Sequence, residues 1–437
     1  MPLTTRPAGN TGSGADSPKW RRGARAEVPD LQARTVRVLV GSQVLGGVGV
    51  SAGASVGALL AEEVSGSAGL AGLGGTFQVL GAALIAIPMS RVMAARGRRP
   101  GLQLGYGLAV VGALAIVTAG VIESFPLLLL GSALFGGSTA SNSQARYAAV
   151  DLADDTHRGR DLSIVVWATT VGAVLGPNLA GPAEPVAVAL GLPVLTGPFA
   201  FSLVGFVLAA LLLTVRLRPD PLIAARERHL AAGGLAEVAH GSVLRGLRVA
   251  RRHPETVLGM LVVAVGHTVM VSVMVMTPLH MHHGGAELRV IGLVISLHVL
   301  GMFAFSPLVG LAVDRFGGHL TAVAGSGILV AAGLLAALAP EGFSPGLAVG
   351  LFLLGLGWSF TLISGSTLLT RSVPLGERPG VQGASDLLMG LAGGGGGALA
   401  GLVVGGLGYR DLGAGAAVLA TLVSVAALGP LRPRPTA

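Results

Sequence analysis

The chain reads as an all-α membrane protein of twelve transmembrane helices arranged as two similar six-helix halves. Three observations carry this reading. Only 11% of the 437 residues are charged and 52% are hydrophobic, whereas a soluble domain holds about 25% charged residues. Apolar runs long enough to cross a bilayer, about 20 residues each, recur along the whole chain. Lys and Arg fall almost entirely on one side of those runs.

Residues 1–35 are polar and carry Lys19, Arg21, Arg22, Arg25 and Arg34. They form no apolar core and read as a disordered basic cytoplasmic tail. A long apolar span follows, so this is not a cleavable signal peptide. Spans are expected near 36–61, 67–90, 101–122, 126–149, 161–182 and 196–216, which makes 36–216 the first half. Six more are expected near 254–281, 286–312, 320–340, 345–370, 380–405 and 412–430, which makes 254–431 the second half. Between them, 217–253 is a charged cytoplasmic linker with an amphipathic stretch suited to the membrane surface. No nucleic-acid reader motif accompanies its charge. Residues 432–437 are a second cytoplasmic tail.

Charge placement fixes the expected orientation. With both termini inside, 27 of the 29 Lys and Arg residues lie on the cytoplasmic side, and only Arg289 and Arg410 lie outside. This is the bias of the positive-inside rule. The expected setting is therefore the lipid bilayer of a bacterial inner (plasma) membrane, with the chain as a monomer. The chain has no Cys, which excludes disulfides and thiol chemistry, and its 70 Gly residues suit helices packed closely in lipid.

A polar hinge joins two apolar runs at Gly310-Leu-Ala-Val-Asp314-Arg315-Phe-Gly317-Gly318. Asp314 and Arg315 sit well at a membrane–water boundary but not in hydrocarbon. Gly317 and Gly318 allow the backbone to reverse. A degraded copy, Ser90-Arg-Val-Met-Ala94-Ala95-Arg96-Gly97-Arg98-Arg99, stands at the matching place in the first half. The polar end of the fourth helix (Asn142, Gln144, Arg146) likewise matches that of the tenth (Ser364, Ser366, Arg371). Two related six-helix halves are a transporter architecture, with the site expected between them near the midplane.

The hinge and its copy resemble the cytoplasmic loop motif of the major facilitator superfamily, and the resemblance runs from about residue 36 to 430. The fifth helix contains Gly172-Ala-Val-Leu-Gly176-Pro177-Asn178-Leu-Ala-Gly181. Gly176 and Pro177 would bend it. The segment is similar to the fifth-helix motif of the drug and metabolite:proton antiporters of that superfamily. The resemblance implies a kinked helix that packs against the other half and seals the cavity. Three departures stand out. Ser163 replaces a further Gly, Ala94 and Ala95 replace the acidic and basic hinge residues, and the outer part of the fourth helix, Pro126-Leu-Leu-Leu-Leu-Gly131, lacks the family's membrane Arg.

Ionisable residues placed in hydrocarbon are functional candidates. Asp386 lies about six residues into the eleventh helix, roughly 9 Å deep. His267 and His298 fall near the midplane and titrate near neutrality. These three are the proton-coupling candidates. Gln43, Asn142, Gln144, Arg146, Asn178, Ser364 and Ser366 are cavity or gate candidates, with Arg146 a partner for Asp386. The cluster His280, His282 and His283, beside Met270, Met274, Met276 and Met281, has donors that suit soft metals. His280 and His283 share a helix face only if the helix survives Pro278, so no metal site is assigned to them.

No phosphate-binding Gly-Lys-Ser/Thr loop and no His-Glu-x-x-His is present, which argues against an enzyme and against any cofactor. The expected function is export of a drug-like compound or metabolite by alternating access, coupled to protons. The competing readings are a metal or metal-chelate exporter using residues 270–283, and a membrane sensor that transports nothing.

Overall fold

The computed structural model describes residues 19–67, 70, 72–154, 156–233 and 241–428. Residues 1–18 of the basic tail and all of the 432–437 tail lie outside the described residues. Sixteen α-helices and one short 3-10 turn make up the described fold. The first half comprises α1 (Lys19–Ser65), α2 (Leu73–Arg96), α3 (Arg98–Val121), α4 (Phe125–Ala148), α5 (Arg158–Trp167), α6 (Thr169–Asn178), α7 (Ala180–Ala189) and α8 (Gly197–Arg216). Two linker helices follow, α9 (Pro221–Ala231) and α10 (Val243–Ala250). The second half comprises α11 (Pro254–His283), α12 (Leu288–Phe303), α13 (Ser306–Ala337), α14 (Pro345–Arg371), α15 (Arg378–Leu407) and α16 (Tyr409–Leu428).

Among the described residues, nine segments are long and apolar enough to cross a membrane, or ten if the bent run from Arg158 to Ala189 counts as one span. Two features reconcile this with twelve. Val290–Ala337 counts once, but Gly317 within it is non-helical, so α12 with the start of α13 is the eighth span and the rest of α13 is the ninth. The helix α4 is 24 residues long, but its last turns are too polar to register as apolar. The fifth span is α5 to α7, and it bends by 66° between Gly176 and Gly181, at the Gly-Pro step.

The halves repeat their packing. Spans 3 and 4 pair as α3 with α4, and spans 9 and 10 as α13 with α14. Span 2 packs on 4 and 8 on 10; 1 on 5 and 7 on 11; 3 on 6 and 9 on 12. One apolar core is built around Leu39, Tyr106, Phe135 and Phe206 of the first half, and a second, which also takes in Leu162 and Val166 of α5, around Leu329, Leu354 and Ile363 of the second half. Large apolar residues such as Leu130, Val188, Leu293, Leu308 and Leu402 face outward, as lipid contact requires. Among the described residues, two helix pairs join the halves broadly, α2 with α15 and α5 with α13. These are equivalent pairs, spans 2–11 and 8–5.

Two expectations change. Helix α1 starts at Lys19, so 19–35, read as disordered tail, is helical. A basic polar stretch can extend a helix whose apolar continuation is already nucleated, since propagation costs far less than initiation. The described residues of the linker include two short helices, α9 and α10. Val243, Gly246 and Ala250 of α10 are buried, and a Cβ at Gly246 would collide with the Gly380 carbonyl of α15. Thus α10 docks on the protein, with Arg245 pairing to Glu377 at 2.7 Å.

Candidate functional site

The halves meet at the end of the bundle that carries Arg98, Arg216 and Arg315, called here the basic end. Asp314 accepts from the backbone amides of Gly159 and Arg160, both at 2.8 Å. Those amides begin α5, so the carboxylate caps a helix N-terminus across the half–half boundary. Gly310 lies against Gly159 and Ser163, where a side chain would collide. This is the close approach expected of it. Ser163, which departs from the family pattern, packs on that glycine.

The first-half hinge lacks the acidic residue and closes in another way. Arg98 is fully buried. Its guanidinium binds Asp151 through Nε (2.6 Å) and Nη2 (3.0 Å), and Nη2 also reaches Gln382 Oε1 of α15 at 2.7 Å. So a tie to the start of the eleventh span exists, carried by Arg98 and not by residue 94. Arg99 contributes its backbone amide, which donates to Asp220 at 2.7 Å. Arg315 is exposed and lies over the Phe316 ring at 5.6 Å.

Above this layer lies a cavity of about 330 Å³ between the halves. Gln43, Asn142, Ser143, Arg146 and Thr169 line it from the first half. His267, Phe303, Trp358, Asp386 and Met389 line it from the second. Asp386 forms the floor. Its Oδ1 accepts from Arg146 Nη2 at 2.6 Å, and its Oδ2 accepts from Gln144 Nε2 at 2.7 Å. The Asp386–Arg146 side chains are only 5% and 4% exposed. The pair joins α15 to α4 across the halves. Removing one partner of such a pair costs about 3–5 kcal/mol, because the other charge stays buried. The small residues flanking Asp386 explain how α15 comes so close to α2: Cβ atoms built at Gly383 and Gly390 would meet Ser90 (2.7 Å) and Ala83 (2.9 Å).

Opposite the floor pair, Trp358 Nε1–H donates to His267 Nδ1 at 3.0 Å. Indole nitrogen only donates, so Nδ1 is unprotonated and the proton of the neutral ring sits on Nε2. Gly393 leaves room for that edge, since a Cβ there would lie 2.5 Å from the ring. Phe303 meets Trp358 edge-to-face at 5.6 Å. On the first-half side, Tyr106 OH lies 2.7 Å from Asn142 Oδ1, and Gln43 Nε2 donates to Thr169 at 3.3 Å.

Several candidates fall elsewhere. His298 is wholly buried, with Nδ1 2.8 Å from the Leu351 carbonyl, inside the second half and away from the cavity. Ser364 and Ser366 are buried in α14; Ser364 donates to Phe360 O at 2.6 Å. Asn178 is exposed and bonds its own helix at Val174 O, 2.7 Å. Gly172 and Gly176 pack on Gly47 and Ser51 of α1, a helix of the same half. The half-crossing contact implied for this segment is made instead by α5 and α13. A Cβ built at Gly181 would meet nothing within 4 Å, so no close approach is made there. His280 stacks on Tyr409 at 4.0 Å, with Nε2 3.0 Å from Pro340 O. His282 and His283 are exposed. Sequence reading missed Trp358, Phe303, Gln382, Asp151 and Asp220. Trp358 carried a usable signal, as one of only three Trp in the chain.

The sequence model of the Major Facilitator Superfamily matches residues 39–289 and 281–437. The chain is 37% identical over 417 residues to the uncharacterized MFS-type transporter YddS of Bacillus subtilis, covering 95% of each. It is 39% identical to YdeG of the same organism, over 87% of this chain and 88% of that one. Identity to the riboflavin transporter RfnT of Brucella anthropi is 30%, over 82% and 85% of the two chains. Among solved structures, the human organic anion transporter MFSD10 superposes with a TM-score of 0.72 at 18% identity, covering 91% of this chain and 99% of that one. FucP in its outward conformation superposes with a TM-score of 0.70 at 17% identity, covering 90% and 97%.

Proposed function

The chain belongs to the major facilitator superfamily, and from that premise we propose that it couples movement of a small organic solute to protons, with Asp386 and Arg146 serving as both proton site and cavity floor. It is a secondary membrane transporter and not an enzyme. The observation that carries the proposal is the position of the pair. It binds α4 to α15 across the halves and also lines the cavity. One protonation event then touches both solute site and closure. A proton on Asp386 removes the charge that holds Arg146, which weakens the floor and favours parting of the halves at the basic end. Solute binding must bias the same equilibrium, because a ligand shifts two states only by its differential affinity for them.

The broad contact of α5 with α13 carries the Asp314 bonds, and α15 is tied further by Arg98 from α3 and by Arg146 from α4. The Lys and Arg bias supports a cytoplasmic setting for the basic end, and on this reading the conformation faces outward. The proposed setting is a bacterial inner membrane with both termini inside. Trp358, Phe303 and His267 form an aromatic wall suited to a planar solute, which fits a relative named for riboflavin. Export in exchange for protons rests on the fifth-span resemblance alone, since Gly172 and Gly176 pack within their own half.

The test is flux in proteoliposomes with an imposed pH gradient and a panel of cationic, anionic and neutral aromatic solutes. Asp386→Asn should lose gradient-driven accumulation by at least about tenfold, well beyond any reduction in downhill exchange. Accumulation at the wild-type level in Asp386→Asn would sink the proposal and move the proton to another group.

A further inference from the structure

Arg146 has more donor capacity than the floor pair uses. Both of its side-chain hydrogen bonds leave from Nη2, one to Asp386 Oδ1 at 2.6 Å and one to Tyr147 OH at 3.0 Å. Its Nε is buried with no partner. The side chain is 4% exposed and its residue lines the cavity. A guanidinium with an idle buried nitrogen, facing a solute cavity, is a place for an anionic oxygen.

The two members of the pair differ in one decisive respect. Arg146 cannot give up its charge within a protein, whereas Asp386 can. A cationic solute at Asp386 would have to displace Arg146 and leave a permanent buried charge without its partner, which is strongly unfavourable. An anionic solute at Arg146 displaces Asp386 instead. Asp386 can then take a proton and remain as a neutral acid, hydrogen-bonded to Gln144. The asymmetry selects the sign of the solute and ties it to the proton.

We propose that the solute is an aromatic organic anion, a carboxylate in the first instance, whose charged group replaces Asp386 on Arg146 while its ring lies against Trp358 and Phe303. The proton and the anion therefore load together as a neutral pair, and the coupling is cotransport. Movement follows the sum of the two gradients, so an accumulated anion leaves with a proton and an inward proton gradient brings one in. This rests on the reading of Asp386 and Arg146 as proton site and floor.

Other groups that face Asp386 set the controls. They are Arg146 and Tyr147 from α4, Arg98 through Gln382, and His267 from α11. The residues α2 brings to this contact include Ala83, Ala86 and Ser90, none of them titratable, and Arg245 of α10 is already paired with Glu377. Of these, His267 is the other side chain, besides Asp386, that can gain a proton.

The experiment uses the purified full chain with 2-naphthoate, its neutral amide 2-naphthamide, and the cation 2-naphthylmethylammonium. Binding is measured calorimetrically between pH 5.5 and 8, and proton uptake in weakly buffered solution. The expected result is that 2-naphthoate binds at least tenfold more tightly than the other two, and that its affinity rises as pH falls, by up to about tenfold per unit. About one proton should be taken up per bound anion. The proton uptake and pH dependence should vanish in Asp386→Asn, which should bind 2-naphthoate at all pH values, and should persist in His267→Gln. The double variant Arg146→Gln with Asp386→Asn removes both charges, so it avoids a lone buried ion, and should show no preference for the carboxylate. Binding of 2-naphthoate without proton uptake, tighter binding of the amide or the cation, or no binding of 2-naphthoate at any pH overturns the proposal. None of these outcomes bears on the Asp386→Asn flux test, so the two readings fail separately.

Discussion

Gly97 and Gly317 hold nearly the same backbone conformation, φ 93°, ψ 179° and φ 83°, ψ 160°. They stand at equivalent places in the two halves, each at the turn between a half's second and third spans. The region is open to Gly and closed to residues with a Cβ, at a cost of about 1–3 kcal/mol when forced. The repeat is thus preserved in dihedral angles even where the side chains around it have diverged.

The two glycines should nevertheless respond differently to substitution. A Cβ at Gly317 meets nothing within 4 Å, whereas one at Gly97 collides with the Asp220 carboxylate. Gly317→Ala should therefore cost only the backbone term of about 1–3 kcal/mol. Gly97→Ala should cost more, because it also dislodges Asp220. Thermal unfolding of both variants in one detergent checks the order, and a larger loss for Gly317→Ala would contradict it.

Asp314→Ala should weaken closure at the basic end without preventing membrane insertion. The carboxylate supplies both acceptors for the first amides of α5, and loss of such a cap costs about 1 kcal/mol. That corresponds to roughly a fivefold shift in the balance between conformations. With no native Cys to interfere, a Cys placed at Ser163, now buried, reports it. Its labelling rate from the basic side should rise by about the same factor, and an unchanged rate would show that the cap is dispensable.

The orientation has a direct check. A Cys at Ala232, exposed on the linker, should be labelled in inverted membrane vesicles and not in intact cells. Labelling of intact cells by an impermeant reagent would reverse the topology and turn the cavity towards the cytoplasm.

Replacing His280, His282 and His283 together by Ala should leave flux within about twofold of wild type. Stability should fall by only about 0.5–1.5 kcal/mol, from loss of the His280–Tyr409 stack. A melting temperature that rises with Zn²⁺ or Cu²⁺ in wild type, and not in the triple variant, would restore the metal reading of this cluster.

The sequence made the spans legible because hydrocarbon imposes length and apolarity on each one separately. It made the hinges legible because Gly and charge have local reasons to sit at a reversal. The Arg146–Asp386 contact was legible as a pairing for a similar reason, since a carboxylate within a span needs a nearby cation. Contacts without a period were not. Asp220 and Asp151 read as ordinary boundary acids, and nothing in 217–253 indicates which backbone amides Asp220 will cap. Trp358 and Phe303 come together from separate helices, so their aromatic wall exists only after folding. His298 looked equivalent to His267 by depth, but depth says nothing of which face of a helix turns inward. The glycines of the fifth span announced a close approach, and only the fold identified the approaching helix as α1.

Asp220 belongs to the linker by sequence and to the first-half hinge by its bonds. One carboxylate receives the amides of Arg98 and Arg99, which start α3, and those of Leu222 and Ile223, which start α9. This sets where the chain can be divided. Two separately translated fragments, one for each half, should meet after Ala232, so that the first piece keeps Asp220 and α9. A cut at Leu217, the natural place by hydropathy, would strand the carboxylate on the wrong fragment and leave the start of the third span uncapped until the pieces reassemble.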